Sequence, residues 1–197
     1  NPAMSQLHAF VSEYSARDQP WRYLFQTTDV IMGTSLCLAG LATLAWAGRR
    51  PLGRQGWSGV GFVAGGLFSV LDALVTMDCS PTRSKACLAA EEAGHVSWSH
   101  FIHVGTSTIV VVGFALPILL LNSTMTRFRG FGLVVTWAWV VFTLLNGIGA
   151  IDWFDGTPMD YTGIWQRFSL GLGTLWWLTL AADDVVTARA LIRTSSC

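Results

Sequence analysis

Two histidines three residues apart, His100 and His103, stand out in a chain that is otherwise poor in charge. On a helix this spacing puts both imidazoles on one face, and Ser107 continues that face one turn further on. Two imidazoles on one face hold a divalent metal when a neighbouring helix adds a carboxylate. Asp72 and Asp78 are the nearest such acids in the sequence, and Ser69, Asp72 and Thr76 share one face of the apolar stretch before them. The chemistry such a set supports is acid–base or metal-assisted hydrolysis, in which a zinc-bound water with a pKa of about 7 attacks an ester or amide. His100, His103, Asp78 and Asp72 are therefore the candidate catalytic residues. His100, His103 and Asp78 are the candidate zinc ligands. A His-x-x-His pair is a weak signal by itself, and the plainer alternative is that the rings hydrogen-bond to carboxylates and fix helix packing.

Four more residues sit at the same depth. Asp29 lies near the start of the first apolar stretch, and Gln166 with Arg167 lies near the start of the last. Ser12 precedes the first stretch. These four are the candidate substrate-binding residues, with the Arg167 guanidinium as a fork of donors for a phosphate or carboxylate head group. If Arg167 faces the bundle it needs a partner, and Asp29 or Asp72 can supply one, because a lone buried charge is expensive. If it faces outward it snorkels to the interface. Ser99 stands beside His100, but no Gly-x-Ser-x-Gly elbow is present, so a serine nucleophile has little support. Asn146 lies deeper and reads as interhelical glue.

Elements that could position these groups are plain in the hydropathy. Of 197 residues, 52% are hydrophobic and 12% charged, with ten tryptophans, eleven phenylalanines and one lysine. A soluble domain carries about 25% charged residues, so there is too little polar surface here to cover a water-exposed body. The net charge of zero gives no basis for nucleic-acid binding. Five apolar stretches run approximately Leu24–Ala47, Trp57–Met77, Trp98–Leu121, Gly130–Ile151 and Tyr161–Ala182. Each is long enough for a hydrocarbon core of about 30 Å, which takes roughly 20 helical residues. Backbone polar groups must be satisfied internally in lipid, so these are helices. The expected fold is an all-α integral membrane bundle of about five transmembrane helices, spanning residues 24–185. Residues 1–23 form an outer segment, 78–97 an outer loop, and 186–197 a cytoplasmic tail. Gly61, Gly65 and Ser69 at four-residue intervals invite a close helix neighbour. Trp153, Phe154, Tyr161 and Trp165 form an interfacial aromatic belt.

Orientation follows from basic residues. Arg49, Arg50, Arg54, Arg127, Arg129, Arg189 and Arg193 lie on one side, against Arg17, Arg22, Arg83 and Lys85 on the other. The lysine/arginine bias places the first group in the cytoplasm. The acids Glu13, Asp18, Asp78, Glu91, Glu92, Asp152, Asp155 and Asp160 all fall on the opposite, outer side. Cys79 and Cys87 bracket a short loop there, where oxidation is permitted, and are read as a disulfide. Cys37 reads as a small packing residue. An odd number of helices with an outer N-terminus leaves two alternatives at the start: a preceding helix or signal that has been removed, or added leading residues.

Several segments resemble a family of bacterial multi-pass membrane proteins, the 998 family of domains of unknown function. They are Val11-Ser12-Glu13, Asp29 with Gly33, Asp78, His100-Phe-Ile-His103 and Gly163-Ile-Trp-Gln166-Arg167. Members typically have six helices, which implies that one precedes Asn1. This chain has Val75-Thr76-Met77-Asp78 where the family has a phenylalanine–proline–threonine–aspartate run, so its outer loop differs in shape. The resemblance implies a bacterial multi-pass membrane protein and suggests no established activity; with the arginine bias, the expected location is the bacterial plasma membrane with the 78–97 loop outside. The residues themselves point to a membrane-embedded enzyme with an outward-facing polar pocket, a hydrolase or transferase acting on a lipid or lipid-linked substrate. The alternative is a non-catalytic lipid-binding or accessory subunit. Membrane lipids are the expected partners, together with other membrane proteins or further copies of the chain. A transporter fits less well, since its polar groups would gather at the midplane.

Overall fold

Along one helix of this protein the small residues lie inside and the leucines outside. In the computed structural model, Gly56, Ser58, Gly59, Gly61, Gly65, Gly66 and Ser69 of one helix are buried, while its Leu67, Leu71 and Leu74 are exposed. That inversion suits a solvent of lipid tails, where helices gain nothing by hiding leucine and associate through close backbone approach. The structure describes residues 4–48, 53–154 and 161–195, without the side chains of 150–154, 191 and 193–195. The charges of Arg49, Arg50, Asp152, Asp155, Asp160 and Arg193 and the rings of Trp153 and Phe154 lie outside the described residues.

Among the described residues six α-helices follow a short 3₁₀ turn, Val11–Ser15, and there is no strand. They are α1 (Arg22–Ala47), α2 (Arg54–Leu74), α3 (Lys85–Glu92), α4 (Trp98–Leu121), α5 (Arg129–Phe154) and α6 (Thr162–Ser195). Helix α3 stands in the loop between the second and third long helices, where the sequence reading has no helix. Its N-cap is Ser84, which accepts from the Cys87 N–H at 3.3 Å. The expected Cys79–Cys87 disulfide closes this loop.

Four helices are long and apolar enough to cross a membrane: α1, α2, α4 and α5, with mean hydropathies of 1.8, 1.4, 2.3 and 1.8. The expectation of about five is therefore corrected to four among the described residues. Helix α6 falls short because Gln166 and Arg167 enter its first turns and Asp183 and Asp184 interrupt it further on. It nevertheless runs the length of the bundle. Arg167 binds the N-terminal segment at one end. At the other, Asp183 accepts from the backbone N–H of Thr126, Arg127 and Phe128, just before α5. The helix continues through 186–195, the stretch read from the sequence as a tail. Arg54 and Arg129 open helices rather than lying in loops.

Helix α2 is the hub, packed on α1 along one side and α4 along the other, while α5 and α6 form a separate pair. Glycine makes the hub possible. A Cβ on Gly33 of α1 would lie 2.6 Å from the Gly66 carbonyl oxygen, and one on Gly113 of α4 would lie 2.6 Å from the Gly65 Cα. The seam between the two groups is filled at the arginine-rich end by Phe62, Ile118, Leu121, Met125, Val135, Trp139 and Trp176. At the disulfide end the seam is open.

Candidate functional site

The N-terminal segment lies across the disulfide end of the bundle like a strap, tied to both sides of the open seam. On one side, the fully buried Glu13 carboxylate accepts from the Phe10 N–H at 3.1 Å, the Thr82 N–H at 3.1 Å and the Thr82 hydroxyl at 2.5 Å. The Ser80 hydroxyl also donates to it. Burial pushes the Glu13 carboxyl above its ordinary range, and these hydrogen bonds offset only part of that rise. On the other side, Gln166 accepts from the Val11 N–H and Ile164 N–H donates to the Leu7 carbonyl at 3.1 Å.

Arg167 completes the strap's anchorage. One guanidinium nitrogen donates to the carbonyls of Gln6 at 2.8 Å, Ala9 at 2.9 Å and Gly163 at 2.8 Å, and the group lies 5.8 Å from the Tyr14 ring centre. The expected pairing with Asp29 or Asp72 is therefore wrong. Helix α6 meets the strap, whose carbonyls are close and point inward, whereas both aspartates face the α1–α2–α4 group. Arg167 does not line the cavity in the open seam; one guanidinium nitrogen is committed to those carbonyls and another donates to the Tyr14 hydroxyl at 3.4 Å.

The two histidines share a face of α4 but not a site. His100 is fully buried, and its Nδ1 accepts from the Asp78 N–H at 3.3 Å, which puts the ring proton on Nε2, 3.5 Å from Glu91 Oε1. His103 turns Nδ1 to the carbonyls of Val75 at 2.8 Å and Asp72 at 3.1 Å, with Asp72 Oδ1 at 3.3 Å. All three are acceptors, so Nδ1 carries the proton and neutral His103 has its lone pair on Nε2. Asp72 accepts from the Thr106 and Ser107 hydroxyls, the latter at 3.0 Å to each oxygen. Asp78 pairs with Arg17 at 3.0 Å and accepts from Ser97, the N-cap of α4, at 2.6 Å from N–H and 2.8 Å from hydroxyl. Burial alone would raise the Asp78 carboxyl, but these donors and His100 outweigh it and hold it below the usual range. The His100 lone pair and the Asp78 carboxylate are thus engaged elsewhere, and of the three only His103 keeps a ring lone pair without a partner. Among the described residues no three histidines, cysteines, aspartates or glutamates are placed to hold a metal, so the expected zinc set of His100, His103 and Asp78 does not assemble.

What does assemble is a cavity of about 290 Å³ in the open seam. Its polar end is formed by Ser12 and Glu13 of the strap, Glu91 of α3, His103 and Ser107 of α4, Asn146 of α5 and Gln166 of α6. Val104, Val111 and Val112 line the cavity further along α4, with Thr108 and Thr143 among them, and Phe10, Met77 and Pro81 add apolar surface beside the polar groups. Val111 and Val112 are also exposed, on an apolar helix long enough to cross a membrane. Of the eight residues expected in the site, the cavity gathers His103, Ser12 and Gln166; His100, Asp78, Asp72, Asp29 and Arg167 do not line it. Asp29 is half-buried, and the Ser69 hydroxyl donates to its backbone carbonyl at 3.3 Å. The cavity also takes in Glu13, Glu91 and Asn146, which the sequence reading left out of the site. An acid beside aromatic residues in Phe10-Val-Ser-Glu13-Tyr was the available signal for Glu13. Glu91 sits beside Glu92 in an amphipathic turn and carries none.

Residues 1–183 match the family model described as protein of unknown function (DUF998), and the chain belongs to that family. No curated protein and no solved structure matches it.

Proposed function

We propose, for this member of a family whose description names no activity, that it takes a membrane amphiphile into the cleft between α4 and α5. One observation carries the reading. The cavity sets polar groups beneath the strap beside the valines of α4, the two chemistries of an amphiphile, and two of those valines, Val111 and Val112, are exposed. Its volume of about 290 Å³ is near the lower bound of small-ligand pockets, roughly 300 Å³. It suits a head group and the first part of one chain. The arginine distribution and the disulfide support an orientation with the strap on the oxidising face of the membrane.

Gly147 offers the test. It borders the cavity, and a Cβ there meets nothing within 4 Å, so a larger side chain starts at the cavity edge without a backbone clash. Protein extracted from its own membranes in mild detergent should show a bound lipid by native mass spectrometry, and Gly147→Trp should lose it. Equal adducts on both proteins, or none on either, would refute uptake at this place.

A second reading has its own support. The His103 Nε2 lone pair borders the cavity, held by backbone carbonyls at the opposite nitrogen, as a general base should be. In that case the bound lipid is a substrate, and His103→Asn retains the lipid but loses its conversion.

A further inference from the structure

Three buried acceptors without a hydrogen-bond partner border this one cavity: His103 Nε2, Glu91 Oε2 and Asn146 Oδ1. Buried acceptors are ordinarily paired, so three around a single space describe what is missing from it. His103 is 2% exposed, and its Nδ1 points into the α2 backbone, which turns Nε2 to the cavity side of the ring. Glu91 has one oxygen near His100 and the other unpaired. Glu13 adds a second carboxylate, and among the described residues no lysine or arginine lines the space. Arg167 has its own donors turned to the strap carbonyls.

A phosphate would add acceptors beside these three unpaired ones, and among the described residues no lysine or arginine lines the space to meet its charge. An ammonium brings three donors and a positive charge. We infer that the occupant is an amphiphile with a protonated amine head group on a long apolar chain, the amine held by Glu91, His103 and Asn146. This rests on the uptake reading and adds the head-group chemistry to it.

Dodecylamine, 1-dodecanol and dodecyl phosphate share one chain and differ only in the head group. Titrated calorimetrically against the wild-type protein in a nonionic detergent, the amine should bind at least about tenfold more tightly than the phosphate. Glu91→Gln should weaken the amine by about tenfold and leave dodecanol within about threefold. Phosphate binding as tightly as the amine would overturn the inference while leaving uptake standing. So would amine affinity unmoved by Glu91→Gln. If none of the three binds the wild-type protein, uptake and head-group assignment fall together. The wild-type series needs no variant, so a misfolded Glu91→Gln cannot shield the claim.

Discussion

Replacing Arg167 by methionine should release the strap while leaving the bundle intact. Three of the guanidinium's bonds cross between elements, to the Gln6 and Ala9 carbonyls at 2.8 and 2.9 Å and, more weakly, to the Tyr14 hydroxyl at 3.4 Å; the fourth stays within α6. Hydrogen bonds to a charged group contribute about 1.5–3 kcal/mol each. The low end applies because the group is partly solvated, and the Tyr14 ring adds a few tenths more. The strap should open about 2–4 kcal/mol more easily, roughly 30- to 700-fold in its opening equilibrium. Native-state hydrogen exchange reads this at the Val11 and Ile164 amides, which donate across the same junction. Amides in the middle of α2 and α4 should not change. Asp29→Asn is the control and should leave strap exchange within about threefold. Strap protection unmoved by Arg167→Met, or lost equally in Asp29→Asn, would refute the carbonyl clamp.

Glu13 gives the strap a pH dependence of definite sign. Burial raises its folded-state pKa above the ordinary 4.5, so between that value and the raised one the closed strap holds a proton the open strap releases. Strap protection should therefore fall as pH rises through this window, and Glu13→Gln should flatten the fall; a rise with pH in the wild-type protein would contradict it. Changing both Cys79 and Cys87 to serine removes a short closed loop worth about 2–3 kcal/mol in the chain-entropy account. It should lower the melting temperature in detergent by several degrees, and a reducing agent should then have no further effect. An unchanged melting temperature would show that α3 holds the loop without the bridge.

Composition and hydropathy by themselves determined the class, because the length of an apolar run and the lack of charge are properties of the chain that lipid reads directly. The same logic gave the Cys79–Cys87 bridge and the close approach at Gly61 and Gly65. The sequence also placed a polar layer at the ends of the helices, but it could not say which member faced which. His100 and His103 are i and i+3, and only the rotation of α4 against α2 turns one ring to Glu91 and the other to the Val75 carbonyl. Arg167 was read as needing an acid, since periodicity cannot show a strap folding back to offer carbonyls 158 and 161 residues away. Glu91 and Asn146 enter the site because α3 and α5 arrive at the seam from distant parts of the chain. Spacing fixes what shares a face of one helix; a cavity is made between helices, and its lining is decided only when they pack.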